Sequence, residues 1–311
     1  MKLHTDIKFF NETIRAASNH LGIKDEFVEK DYWITLVLYQ LSKSKLAEQT
    51  VFKGGTSLSK AYGIINRFSE DIDISILNSD TQSGNEIKTI IRSVEKEMTK
   101  QLKELYVEGI TSKGSRFRKS VFEYESKNNN NKLIVEVNSF ANPFPFQKMT
   151  IRSFVYDFYV ATGNEKYVEQ FHLQPFELNV LNKDQTLMEK LVSLIRFSFA
   201  ENAVASISQK IRHFYDLYFL MNDKACAEFI KSGEFKKRFN EILNHDRELF
   251  DEPAGWQKKQ LSDSPLVNDF EAIWPQIRNK YKTELSALAF SPIPDELNVS
   301  DEFKKLIECC K

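Results

Sequence analysis

The chain has 311 residues, 41% hydrophobic and 28% charged, with 25 Phe and 11 Tyr; this composition excludes global disorder, and the length exceeds one ordinary domain of about 100–150 residues, so two lobes are expected. A formal charge of −1 excludes a chain that attracts nucleic acid or anionic membrane as a whole, and leaves any such contact to a local patch. No run approaches the roughly 20 apolar residues of a membrane span, nothing resembles a signal peptide, and three cysteines (Cys226, Cys309, Cys310) with no His at metal-ligand spacing fit a reducing cytoplasm.

Residues 5–21 place Ile7, Phe10, Ile14, Ala17 and Leu21 at helical spacing, with Gly22 as a stop. The same period over 25–41 predicts a second helix with Asp25 as its N-cap. A short apolar entry, Val51-Phe52, then leads through Lys53-Gly54-Gly55-Thr56 into a helical pattern over 57–65, so the order is strand, glycine turn, helix. At Asp71 the period changes. Asp71, Ile72, Asp73, Ile74, Ser75 and Ile76 alternate strictly, which marks a strand with both aspartates on one face.

A polar stretch over 78–85 precedes a predicted helix over 86–105 with a stripe of Ile87, Ile90, Ile91, Val94 and Met98. Strands over 116–125 and 133–140, joined across four consecutive asparagines at 128–131, read as a hairpin. Residues 176–181 form the last convincing strand, and helices are predicted over 186–199 and 207–221. The change from α/β to all-α near Asn182 divides the chain into expected domains 1–182 and 183–311. Beyond 250, five prolines break a charged sequence into short helical pieces.

An Asp-Ile-Asp strand alone also fits carboxylates that merely face water, and Gly54-Gly55 alone fits a tight turn with Thr56 as an N-cap. Together they say more. A helix start presents free backbone N–H groups to phosphate, and adjacent glycines let an anion approach the backbone closely. Mg²⁺ (or Mn²⁺) takes one or two carboxylates plus phosphate oxygens, so Asp71 and Asp73 fit a metal-bound nucleoside triphosphate undergoing in-line displacement at the α-phosphorus.

The run Phe52-Lys53-Gly54-Gly55-Thr56-Ser57-Leu58-Ser59-Lys60-Ala61-Tyr62, followed by Arg67-Phe68-Ser69-Glu70-Asp71-Ile72-Asp73-Ile74, resembles the signature of the AbiEii/AbiGii toxin family, nucleotidyltransferases of the DNA polymerase β-like superfamily. Glu29-Lys30-Asp31-Tyr32-Trp33, Thr186-Leu187-Met188-Glu189-Lys190-Leu191 and Arg212-His213-Phe214-Tyr215-Asp216-Leu217 resemble its other motifs. The resemblance implies an α/β (α+β) fold: a polymerase β-like lobe with a mixed sheet flanked by helices, and a C-terminal all-helical lobe that completes the active site. It implies that Gly54, Gly55 and Thr56 hold phosphate, that Asp71 and Asp73 bind metal and act catalytically, and that Lys190 contacts the triphosphate. Asp216 would position Lys190 or act as a base. Lys30 and Asp31 could brace the site.

Several alternatives stay open. Asp216 also suits an i, i+4 pair with Arg212, worth about 0.3–0.5 kcal/mol if exposed, and the Lys190 stem could simply snorkel to water. Glu136 is the candidate third metal carboxylate, or else an outward residue paired with Lys119 or Lys132. Lys113, Arg116, Arg118 and Lys119 could meet an RNA backbone or form a solvated loop. His213 fits a structural role or a secondary contact, and the stripe Phe214, Tyr215, Tyr218 and Phe219 fits core packing.

By resemblance the chain is a toxin of a type IV toxin–antitoxin or phage-defence system that transfers a nucleotide to RNA, with the tRNA 3′ end as leading acceptor and no direct complex with its antitoxin. Transfer to a protein hydroxyl or small molecule, or nucleotide binding without turnover, are the competing readings.

Overall fold

The computed structural model describes residues 1–69, 71–77, 82–126, 131–141 and 143–311. Glu70 of the quoted motif, residues 78–81 of the polar stretch and most of the asparagine turn lie outside the described residues. The chain forms two compact units: residues 1–63 with 68–181, and residues 64–67 with 182–311.

The first unit opens with α1 (Ile7–Leu21), whose N-terminal amide at Phe9 is capped by Asp6 and whose end is set by Gly22 at φ +69°. In α2 (Asp25–Ser42) Asp25 is the first helical residue rather than the N-cap, a position taken by Lys24 without a side-chain bond. There the carboxylate still meets the positive end of the helix. β1 (Thr50–Lys53) runs straight into α3 (Gly54–Lys60), and β2 (Asp71–Ile76) follows. α3 begins at the glycines and stops earlier than the periodicity over 57–65 predicts, because residues 64–67 leave to pack in the other unit.

α4 (Gly84–Thr99) is capped reciprocally by Ser83 and Glu86. It ends soon after Met98, and the tail of the predicted helix becomes β3 (Lys103–Leu105) instead, an extended edge paired with β5. β4 (Ser112–Lys113), β5 (Phe117–Glu123), β6 (Lys132–Asn138), β7 (Phe146–Ile151), α5 (Phe154–Ala161), α6 (Glu165–Gln170) and β8 (Phe176–Leu181) complete the unit.

The sheet runs β3-β5-β6-β2-β1-β8-β7, with β4 on β5. It is mixed: β2 runs parallel to β6 and β1 to β8, while the other pairs are antiparallel. Phe52, Ile72, Ile74, Val135 and Val137 are buried together on one face. By the two-residue period of a strand, Asp71, Asp73 and Glu136 take the other face.

The second unit is helical apart from one β-bridge: α7 (Lys183–Ser198), α8 (Ala203–Ser208), α9 (Ile211–Asn222), α10 (Lys224–Ile230), α11 (Glu234–Leu249), α12 (Pro265–Asn268), α13 (Phe270–Leu288) and α14 (Glu296–Cys310). The helix predicted over 207–221 is two helices, α8 and α9. The expected short pieces beyond 250 include α13, which accommodates Pro275 and buries Ile273, Trp274, Ile277, Tyr281 and Leu285, and α14, which buries Phe303. Phe214 packs edge-on to Phe303 at 4.7 Å and also meets Phe270 and Trp274, while Tyr215 is buried nearby on the same helix. Packing of this aromatic surface repays the hydrogen bond that the proline removes.

Candidate active site

β2 presents Asp71 and Asp73 one strand step apart, both half-buried, between β1 and β6. The register sets Lys53 opposite Asp73, Asp73 opposite Glu136, and Glu136 opposite Lys119. Cross-strand partners share a face, so four charged residues stand in one row in the order cation, anion, anion, cation. Glu136 and Lys119 close an ion pair of 3.0 Å. Glu136 thus has the Lys119 partner that one sequence alternative gave it, and it also stands beside Asp73; Lys132 sits elsewhere, opposite Glu123.

Gly54 lies directly beneath Asp73. At φ +79° it holds a conformation that favours glycine, and a Cβ there would come within 2.1 Å of an Asp73 carboxylate oxygen. The chain therefore bends from β1 into α3 hard against the carboxylate. Gly55 and Thr56 follow, buried in the first turn of α3. The Thr56 hydroxyl donates a short hydrogen bond to the Asp71 carbonyl, and Ser57 Oγ donates to the Gly54 carbonyl at 2.8 Å. Thr56 thus ties the phosphate-loop candidate to the start of the aspartate strand. The amides of this first turn, more than the dipole of so short a helix, are what it can offer an anion.

Two residues with no role assigned from sequence alone hold this region. Lys60, at the end of α3, pairs with Asp31 of α2 at 2.5 Å, and Asp31 accepts the Phe154 amide at 2.8 Å, which makes Asp31 a brace for both α3 and α5. Phe68 stacks on Phe27 at 4.9 Å and lies under the Lys30 ammonium.

In the second unit Asp216 is fully buried and accepts from Arg67 through Nε and Nη2, both at 2.7 Å, and from Lys190 Nζ at 2.8 Å. Burial alone would raise its pKa. The two cations outweigh that and hold the carboxyl well below the usual carboxylate range. The sequence alternative of an Arg212–Asp216 pair is corrected: Arg212 pairs with Glu284 at 2.9 Å, since Asp216 points into the core, where Arg67 and Lys190 meet it. The Arg67 segment is seated by a bridge to Ala289 and by the Phe290 amide donating to the Asn66 carbonyl at 3.0 Å. His213 adjoins this group; burial, then the neighbouring Lys190, drives its pKa well down, so its imidazole is neutral at pH 7.

The basic cluster is a solvated loop only at Arg116; its other members lie on strands. Lys113 lies on β4 paired with Glu104, Arg118 lies on β5 paired with Glu95 at 2.6 Å, and Lys119 pairs with Glu136. Only Arg116, exposed ahead of β5, has no such ion pair among the described contacts. Three of the four positive charges of this cluster are thus already paired.

Asp71 and Asp73 fit a divalent cation that completes its shell with phosphate oxygens and water. Among the described residues no group of three or more His, Cys, Asp or Glu side chains stands out as able to hold a metal by itself, and Glu136 lies beside Asp73 in the β2–β6 register. Nor is any described helix long and apolar enough to cross a membrane.

A family model described as nucleotidyl transferase AbiEii toxin, type IV toxin–antitoxin system, matches residues 36–306. No curated protein matches the chain. Among solved structures, MenT4, the nucleotidyltransferase toxin Rv2826c from Mycobacterium tuberculosis H37Rv, is similar in fold at a TM-score of 0.51 and 14% identity, over 96% of this chain and 99% of that one. JHP933 from Helicobacter pylori aligns at a TM-score of 0.45 and 14% identity, over 92% of this chain and 91% of that one.

Proposed function

The chain belongs to the nucleotidyl transferase AbiEii toxin family of type IV toxin–antitoxin systems and is a nucleotidyltransferase, and on that premise we propose that it moves a nucleoside monophosphate from a nucleoside triphosphate to an RNA hydroxyl, the tRNA 3′ end being the leading acceptor. The observation that carries the reading is the placement of the Asp71 and Asp73 side of β2 against Gly54, at the opening turn of α3. Asp71 and Asp73 hold a divalent cation, which when bound supplies Lewis-acid polarisation of the phosphate oxygens. The amides of Gly55 and Thr56 receive phosphate, and Thr56 holds the start of β2 in register with them.

Lys190 takes the triphosphate through its ammonium. Asp216 is a positioning residue and not a base: a carboxylate paired with two cations and titrating far below neutrality has little affinity for a proton. The acceptor hydroxyl attacks the α-phosphorus, a new P–O bond forms as the bond to the departing pyrophosphate breaks, and the hydroxyl proton leaves to solvent. On this reading residues 1–182 are the nucleotidyltransferase lobe and residues 183–311 the helical lobe that carries Lys190. The toxin acts in the cytoplasm, and its antitoxin neutralises it without a stable complex.

Incubation with each α-labelled triphosphate, Mg²⁺ and total RNA is expected to place label on RNA, and label on protein or a small molecule instead would reject the RNA reading. Expression should arrest growth, with Asp71→Ala relieving both effects. Gly54→Ala is expected to push the Asp73 carboxylate aside and to slow transfer by about 10²-fold, the usual result of misplacing a reacting group by an ångström; an unchanged rate in the same labelling assay would show that the close approach is not needed.

A further inference from the structure

The charged row across the sheet is balanced in a particular way. Three carboxylates, Asp71, Asp73 and Glu136, share one face of β2 and β6, a donor set that could be shared between two divalent ions clamping the attacking and leaving oxygens of a triphosphate. Here the third carboxylate is already matched. Lys119 stands opposite Glu136 in the β5–β6 register and pairs with it at 3.0 Å, with both side chains largely buried (28% and 22% exposed). The ion pair seats the Lys119 ammonium in the same cross-strand row as Glu136 and Asp73. Among the described residues Glu136 joins no three-residue ligand group.

Building on the reading that Asp71 and Asp73 hold the metal, we infer that Lys119 serves as a built-in cation in place of a second metal ion, so that this site takes a single divalent ion with its nucleotide. An ammonium on a strand is fixed by the fold, whereas a second ion would need Glu136 released from its partner and a further ligand that the row does not supply. Lys119 therefore acts as a positioning residue: it keeps Glu136 turned away from the metal and offsets its charge beside the reacting phosphate.

Counting Mn²⁺ by isothermal titration calorimetry and electron paramagnetic resonance, on the full chain with a triphosphate analogue non-hydrolysable between the α- and β-phosphates, tests this directly. One ion per chain is expected for the wild type and for Lys119→Arg, two for Lys119→Gln, and one again for Lys119→Gln combined with Glu136→Gln. A wild-type count of two overturns the inference without recourse to any variant, as does a folded Lys119→Gln protein that still binds one. The paired substitution Asp71→Asn and Asp73→Asn separates the two levels: if it leaves the wild-type count intact, the aspartate assignment itself fails and the role of Lys119 falls with it.

Discussion

Exchanging Asp73 for asparagine is expected to lower nucleotide transfer by about 10³-fold or more, the scale on which loss of a charge aimed at the reacting centre is felt, while leaving the fold intact. Asparagine keeps the shape of the side chain above Gly54, so the close approach there survives and only the charge is removed. The loss should fall mainly on the single-turnover rate, because Gly55, Thr56 and Lys190 remain to bind the triphosphate. Asp71→Asn should behave alike, since the two residues occupy one face of one strand. A labelled-triphosphate assay, with thermal unfolding followed by circular dichroism as the control for folding, decides it. Wild-type rates in a folded Asp73→Asn protein would remove the basis of the proposed chemistry.

The second large effect is on stability. Asp216→Ala would leave the Arg67 guanidinium and the Lys190 ammonium buried without their shared carboxylate, with side chains only 3% and 8% exposed. Breaking a buried ion pair in this way costs about 3–5 kcal/mol, because the orphaned charge has no water to turn to. Urea unfolding at pH 7 should register that loss. Replacing all three residues by apolar ones of similar size should recover much of it, since the desolvation cost disappears with the charges, whereas transfer should stay lost because Lys190 is gone.

The pH dependence has a definite sign. The folded carboxyl titrates below its unfolded value, so its contribution is fully present above about pH 3.9 and is lost as the pH falls below that. The stability gap between wild type and Asp216→Ala should accordingly narrow by about 1.4 kcal/mol per pH unit in that acid range. A gap that stays constant with falling pH would show that Asp216 is not ionised in the folded chain.

Local periodicity carried much of the architecture. The strict alternation from Asp71 to Ile76 marks a strand because a pleated backbone turns successive side chains to opposite faces, and β2 has those bounds. The apolar stripes of α1, α4 and α7 are visible for the same kind of reason. β7 is not visible: as an edge strand with Gln147 and Lys148 exposed it buries little, so its sequence bears no alternating mark, and pairing with β8 alone defines it. α13 hides behind Pro275, whose helix-breaking tendency is outweighed by the aromatic surface packed around it.

For the candidate site, sequence spacing sufficed for what lies close along the chain: two carboxylates two residues apart, and a glycine pair at the mouth of a helix. These are consequences of backbone geometry, which any chain with that pattern must obey. Partnership between distant side chains obeys no such rule. Arg67 is separated from Asp216 by 149 positions, yet it displaces the neighbouring Arg212, because burial rewards the guanidinium that reaches the carboxylate inside the core over one that shares its helix at the surface. Lys119 and Glu136 meet, and Gly54 comes to lie beneath Asp73, for the same reason: register and packing, not nearness in sequence, select which charges must neutralise one another away from water.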